Sequence, residues 1–237
     1  MNMRDLGADA NRVLLLDTVI RLGALAEKFV FVGGCATGLL VTSVRSQTVR
    51  MTIDVDVVTQ VATLGDYYTI SAELEKKGFR QSRSEDAPLC RWIADGLQLD
   101  VVPTDPTILG FSNRWYSVAA ETAQPFELNS EQRIRLITAP LFLATKLDAF
   151  SDRGRGDFWA SHDLEDLVTV VDGRPELEEE VHSAPLAVRN YLSESMANLM
   201  SNSSFVLALA GHLPTDAGSQ ARVPMLRRRL LTLARLE

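Results

Sequence analysis

The stretch FVGGCATGLLVTSVRSQTVRMTIDVDVV, residues 31–58, sets two aspartates, Asp54 and Asp56, one residue apart in an otherwise apolar run. Side chains alternate faces along a strand, so these two point the same way while Val55 and Val57 turn into a core. Like charges that close repel, and without a counter-charge one of them takes up a proton. A divalent cation removes that cost. Mg2+, or Mn2+ in its place, suits the pair because it takes few protein carboxylates and fills its shell with waters and phosphate oxygens. About twenty residues upstream, the apolar FVFV run (29–32) stops at Gly33 and Gly34. A strand ending in two glycines before a helix lets the backbone approach a polyphosphate, with helix N–H groups turned toward it.

A third carboxylate is expected from a neighbouring strand, and Asp100 in LQLDVV is the candidate. Its strand, LQLDVVP (97–103), follows LCRWIA (89–94) across Asp95-Gly96, a dipeptide that favours two-residue hairpins. Upstream, apolar positions 13, 16, 19, 20 and 22 predict an amphipathic helix over 9–28. A short helix over 35–44, a polar stretch with Arg45 and Arg50, and a helix over 67–78 ending at Gly78 are expected in turn. Residues 104–130, with prolines, Phe111, Trp115, Tyr116 and alternating VAAET, read as loops with one or two short strands. From Ala139 the pattern is helical: PLFLATKLDAF, the loop SDRGRGDFWA, then SHDLEDLVTVVDG with Ser161 as N-cap and Gly173 as stop, and two further helical stretches. The expected fold class is α+β, a mixed sheet-and-helix core over residues 1–135 and a helical subdomain over 136–237 closing a cleft.

The chain has 237 residues, 46% of them hydrophobic, and a net charge of −7, which argues against an extended basic face for non-specific nucleic-acid binding. The clusters Arg153–Arg155 and Arg227–Arg229 read as solvated surface. No apolar run approaches the roughly 20 residues a membrane span needs, and the polar start lacks the apolar core of a signal peptide. Two cysteines, Cys35 and Cys90, make neither a disulfide framework nor a zinc site, so a reducing cytoplasm is the expected location.

VGG, then Arg50, Thr52, Asp54 and Asp56 as R-x-T-x-D-x-D, then Asp100, resembles the DNA polymerase β-like nucleotidyltransferases. Within that superfamily, KLDAFSDRGRGDFWASHDLEDL (146–167) is similar to a region of the AbiEii/AbiGii toxin family, whose members show K-L-x-A, an Arg-Gly stretch and D-L-x-D-L. The likeness spans roughly residues 29–172, with His162 standing where Arg or Lys is common. The resemblance implies a polymerase β-like nucleotidyltransferase fold, with Asp54 and Asp56 as metal ligands and Gly33 and Gly34 on the phosphate side. It gives Lys146 to the triphosphate, and Arg50, Thr52 and either Asp163 or Asp166 to the nucleotide; lying three apart, these two aspartates share a helix face and register does not separate them. Asp100 completes the metal set and is the candidate to orient or deprotonate an attacking hydroxyl.

The activity implied is transfer of a nucleoside monophosphate from an NTP (ATP, GTP, CTP or UTP) to a hydroxyl acceptor, with RNA, notably a tRNA end, first in line. A toxin or phage-defence role follows by resemblance, with a cognate antitoxin protein as partner and no membrane. The alternatives are a small-molecule acceptor such as an aminoglycoside, whose positive charge suits an acidic protein, and a non-catalytic NTP-binding module. His182 and His212 are expected at the surface or as caps, and Cys35 as a small packing residue. Trp92, Trp115 and Trp159 are expected in the core or a cleft wall, stacking on a base being the alternative for Trp159.

Overall fold

The computed structural model describes residues 6–43, 49–85, 87–154 and 156–236. Arg45 and Arg155 lie outside the described residues. The chain divides into two compact units: Leu6–Ala36 with Met51–Thr138, which holds the sheet, and Thr37–Arg50 with Ala139–Glu237, which is helical.

The sheet unit contains β1 (Phe29–Val32), β2 (Asp54–Thr59), β3 (Arg80–Gln81), β4 (Arg91–Ala94), β5 (Leu97–Pro103), β6 (Gln124–Glu127) and β7 (Arg133–Leu136). They form one seven-stranded sheet in the order β3-β4-β5-β2-β1-β7-β6. β1 runs antiparallel to β2 and parallel to β7, and β2 runs parallel to β5. The sheet is therefore mixed and the fold α+β. All four residues of β1 are buried, as a strand between two neighbours and covered on both faces should be. β2 alternates at its start, with Val55 and Val57 buried and Asp54 and Asp56 half-buried on the other face. The β4–β5 hairpin turns at Asp95 (φ 46°) and Gly96 (φ 85°), positive at both central positions, the geometry that matches strand twist.

The helices of this part of the chain are α1 (Leu6–Leu22), α2 (Gly33–Leu40), α3 (Leu64–Lys76), α4 (Pro106–Leu109) and α5 (Tyr116–Thr122). Three expectations need correction. α1 stops at Leu22, where Gly23 (φ 56°) breaks it and residues Gly23–Lys28 wind as a 3-10 helix. Its buried stripe runs through Asn11, Leu15, Thr18, Val19 and Leu22, leaving Val13 and Ile20 57% and 62% exposed. YSVAAET forms helix α5 rather than a strand, with Ala119 and Ala120 buried. β7, which the sequence reading passed over, pairs with β1 and buries Ile134 and Leu136 while Arg133 and Arg135 stay out.

The helical unit contains α6 (Ala139–Arg153), α7 (His162–Gly173), α8 (Leu177–His182), α9 (Leu186–Ser201), α10 (Ser203–Ala208), α11 (Ala217–Gln220) and α12 (Val223–Leu233). Ser161 caps α7 by accepting from Leu164 N. The other end of α7 is closed by Arg229, which donates to the carbonyls of Val171 and Asp172 at 2.8 and 2.6 Å, and by Gly173 O, which accepts from Thr42 N and Ser43 N. Leu164, Leu167, Val168 and Val171 of α7 are fully buried, as are Leu192 and Met196 of α9 and Leu226 and Leu230 of α12. Each such side chain contributes about 1.5–3 kcal/mol. Among the described residues, no helix is long and apolar enough to cross a membrane.

Candidate functional site

One row across the sheet gathers charge. Strand register sets Val32 opposite Asp56, Asp56 opposite Asp100, and Asp100 opposite Arg91. Residues directly opposite share a face and stand about 5 Å apart, so Asp56, Asp100 and Arg91 line up on β2, β5 and β4. Asp54, two residues before Asp56, joins them on the same face. The three aspartates singled out in the sequence thus share one face of the sheet unit, with a guanidinium among them.

Arg91 was not anticipated. Its Nε donates to Asp100 Oδ1 at 2.8 Å and its Nη2 to Asp100 Oδ2 at 2.7 Å, a two-point grip on a carboxylate only 9% exposed. The same Nη2 donates to Asp54 Oδ2 at 2.8 Å. Hydrogen bonding by Asp100 raises the Arg91 pKa against the effect of partial burial, so its charge is fixed. Asp54 Oδ1 accepts from Thr52 Oγ1 at 2.7 Å, and Thr52 N donates to Asn11 Oδ1 at 3.0 Å. The buried amide of Asn11 on α1 therefore anchors the residue that orients Asp54, a second contribution the sequence reading missed.

Gly33 has φ 68° at the end of β1, a conformation that costs other residues roughly 1–2 kcal/mol. A methyl carbon there would lie 1.9 Å from Asp56 Oδ2 and 2.6 Å from Asp56 Cβ. Only glycine lets the Asp56 side chain rest against this turn. Gly34 is buried in the first turn of α2, and Cys35 Sγ donates to Val32 O at 3.3 Å, which makes it a packing residue.

The other expected residues form a network of their own in the helical unit. Asp166, its side chain 1% exposed, accepts from Lys146 Nζ at 2.6 Å and from Arg50 Nε and Nη2, both at 3.0 Å. Asp163 accepts from Lys146 Nζ at 3.3 Å and from Arg153 Nε and Nη2 at 3.1 and 3.0 Å. Lys146 and Arg153, seven residues apart on α6, lie on one stripe, as do Asp163 and Asp166 on α7. Burial alone would raise the Asp163 carboxyl, but Arg153 and Lys146 outweigh it and hold it below the ordinary value. Lys146 is thus buried between two carboxylates, Asp166 being the nearer partner and Asp163 the looser one. Trp159 is not a core residue: it is 62% exposed, its backbone N–H donating to Asp157 Oδ1. Trp92 and Trp115 are buried.

Among the described residues, no three acidic, histidine or cysteine side chains are drawn tightly enough together to hold a metal. The donor chemistry of Asp54, Asp56 and Asp100 nevertheless suits a hard divalent cation, being carboxylate oxygen throughout. Arg91 Nη2 marks the point, since one positively charged nitrogen already collects an oxygen from Asp54 and another from Asp100. Asp54 and Asp100 already share a cation, and that cation is a side chain.

No family model matches the chain, and no curated protein matches it. Among solved structures it is similar to an antigenic nucleotidyltransferase-like protein from Paracoccidioides brasiliensis, at 20% identity and a TM-score of 0.49, over 85% of this chain and 92% of that one. At that distance the chemistry has to be read from this chain's own residues.

Proposed function

We propose that the protein is a metal-dependent nucleotidyltransferase of the polymerase β-like kind, moving a nucleoside monophosphate from an NTP to a hydroxyl acceptor. The observation that carries this reading is the shared face of Asp54, Asp56 and Asp100 beside the glycine turn at Gly33. A divalent ion bound by these carboxylates would neutralise phosphate charge and polarise the reacting oxygens. The acceptor oxygen bonds to the α-phosphorus, the bond from that phosphorus to the leaving oxygen breaks, and pyrophosphate departs. The hydroxyl proton goes to Asp100, once its oxygens are released by Arg91. Arg50, Thr52, Lys146 and Asp163 or Asp166 keep the nucleotide-side roles that the resemblance implies, with polyphosphate taking over Lys146 from its carboxylates.

RNA, in particular a tRNA end, is the acceptor this reading names first, together with the AbiEii-type toxin role and an antitoxin partner. Labelled NTPs with Mg2+ and total RNA, purified tRNA or aminoglycosides test it. The wild type should label one acceptor, and Asp54→Ala and Asp56→Ala should each lose at least about 10²-fold. Absence of transfer and of pyrophosphate release with all four NTPs would overturn it. The Arg91 grip favours one second reading, an NTP-binding module without catalysis, for which nucleotide affinity would be indifferent to Mg2+.

A further inference from the structure

We infer that Arg91 is a latch: an internal counter-cation that a divalent metal must displace from Asp54 and Asp100 before the carboxylate face can work. The inference rests on the metal-dependent reading above and adds a competitor for the metal within the chain itself.

Three carboxylates on one face of two adjacent strands, one of them buried, repel one another unless a cation sits among them. Arg91 provides it, engaging both oxygens of Asp100 and the one oxygen of Asp54 that Thr52 leaves. A metal using Asp54 and Asp100 has to take those same oxygens. Guanidinium and metal therefore compete for the same carboxylate oxygens.

The backbone around Arg91 does not have to move for the exchange. Four register pairs hold β4 to β5 from Arg91↔Asp100 to Ala94↔Leu97. On the other side β3 pairs with Trp92 and Ile93, and Ser82 N donates to Arg91 O at 2.8 Å, so the Arg91 backbone is held from both sides. Its side chain is 22% exposed, against 9% for Asp100, which leaves rotation of the long side chain toward solvent as the way out. The expected consequence is weak metal affinity in the resting protein. It rises when the guanidinium is removed, because the metal no longer has to break charge-assisted hydrogen bonds.

Mn2+ binding to the full chain without nucleotide, followed by the electron paramagnetic resonance signal of free Mn2+, tests the latch. Arg91→Met should bind Mn2+ about tenfold or more tightly than the wild type, the range set by hydrogen bonds to charged groups. The gain should vanish when Asp56→Asn is added. The metal-free variant should also melt lower than the wild type, and Mn2+ should raise its melting temperature by more. If Arg91→Met does not fold without metal, Arg91→Lys keeps the charge but loses the two-point grip, and it too should bind more tightly than the wild type. Equal or weaker binding in the variants, with clear binding by the wild type, overturns the latch and leaves the metal reading standing. No Mn2+ binding by any of them overturns both.

Discussion

Replacing Gly33 with alanine tests how closely Asp56 is built into the turn. The added carbon meets two penalties. At φ 68° any side chain costs roughly 1–2 kcal/mol. The carbon also falls 1.9, 2.5 and 2.6 Å from Oδ2, Cγ and Cβ of Asp56, so that side chain or the turn must shift. Overpacking of this kind costs about 1–3 kcal/mol, for a combined loss of roughly 2–5 kcal/mol. Gly96→Ala is the control: φ is 85°, yet nothing lies within 4 Å, so only the backbone penalty applies. Urea midpoints, with slopes compared to exclude a changed denatured state, should place Gly33→Ala below Gly96→Ala by about 1–3 kcal/mol. Because the Asp56 Cβ itself collides, Asp56→Ala should not relieve the strain, whereas Asp56→Gly should, with a coupling of about 0.5–3 kcal/mol. Equal losses at Gly33 and Gly96 would refute the packing of Asp56 on the turn.

Asp166→Asn should cost about 3–5 kcal/mol in denaturant unfolding, since it strips a charge from buried Lys146 at a site 1% exposed. Asp163→Asn, whose partner Arg153 is 69% exposed, should cost clearly less, and equal losses would contradict this. The Asp163 carboxyl is held below its ordinary value of 3.8, so its contribution is complete above that pH and disappears as pH falls through the lower folded value. Melting temperatures of wild type and Asp163→Asn should therefore converge on acidification below about pH 4; divergence would refute the assignment. Cys35 and Cys90 are 1% and 3% exposed, and burial followed by the charge of Asp100 pushes the Cys90 thiol up to about 12. Ellman's reagent at pH 8 should find no fast thiol in the native protein and two after denaturation.

The parts of the fold legible in the sequence were those fixed by local chemistry. FVFV before two glycines, D-x-D in a valine run and the Asp95-Gly96 turn each specify their own backbone. The hairpin carried more than was taken from it. Two-residue turns fix register, and counting outward from Asp95-Gly96 puts Arg91 opposite Asp100. The latch residue was therefore computable from the sequence. The parallel pairing that brings Asp56 beside Asp100 was not, because β2 and β5 are joined through a helix and a hairpin and nothing local sets their offset. β7 escaped because RIRL is too short for a pattern, and α5 because two adjacent alanines fit either period. Lys146, Asp163 and Asp166 were marked by resemblance, but their mutual pairing depends on how α6 and α7 pack.

Crystals grown with Mn2+ and a non-hydrolysable NTP analogue offer the most direct view of whether the Asp54, Asp56 and Asp100 face is a metal site. An anomalous peak within bonding distance of Asp54 and Asp56, with the Arg91 guanidinium swung away from Asp100, is the predicted result. Nucleotide bound with no metal at these carboxylates, and Arg91 still gripping Asp100, would contradict it.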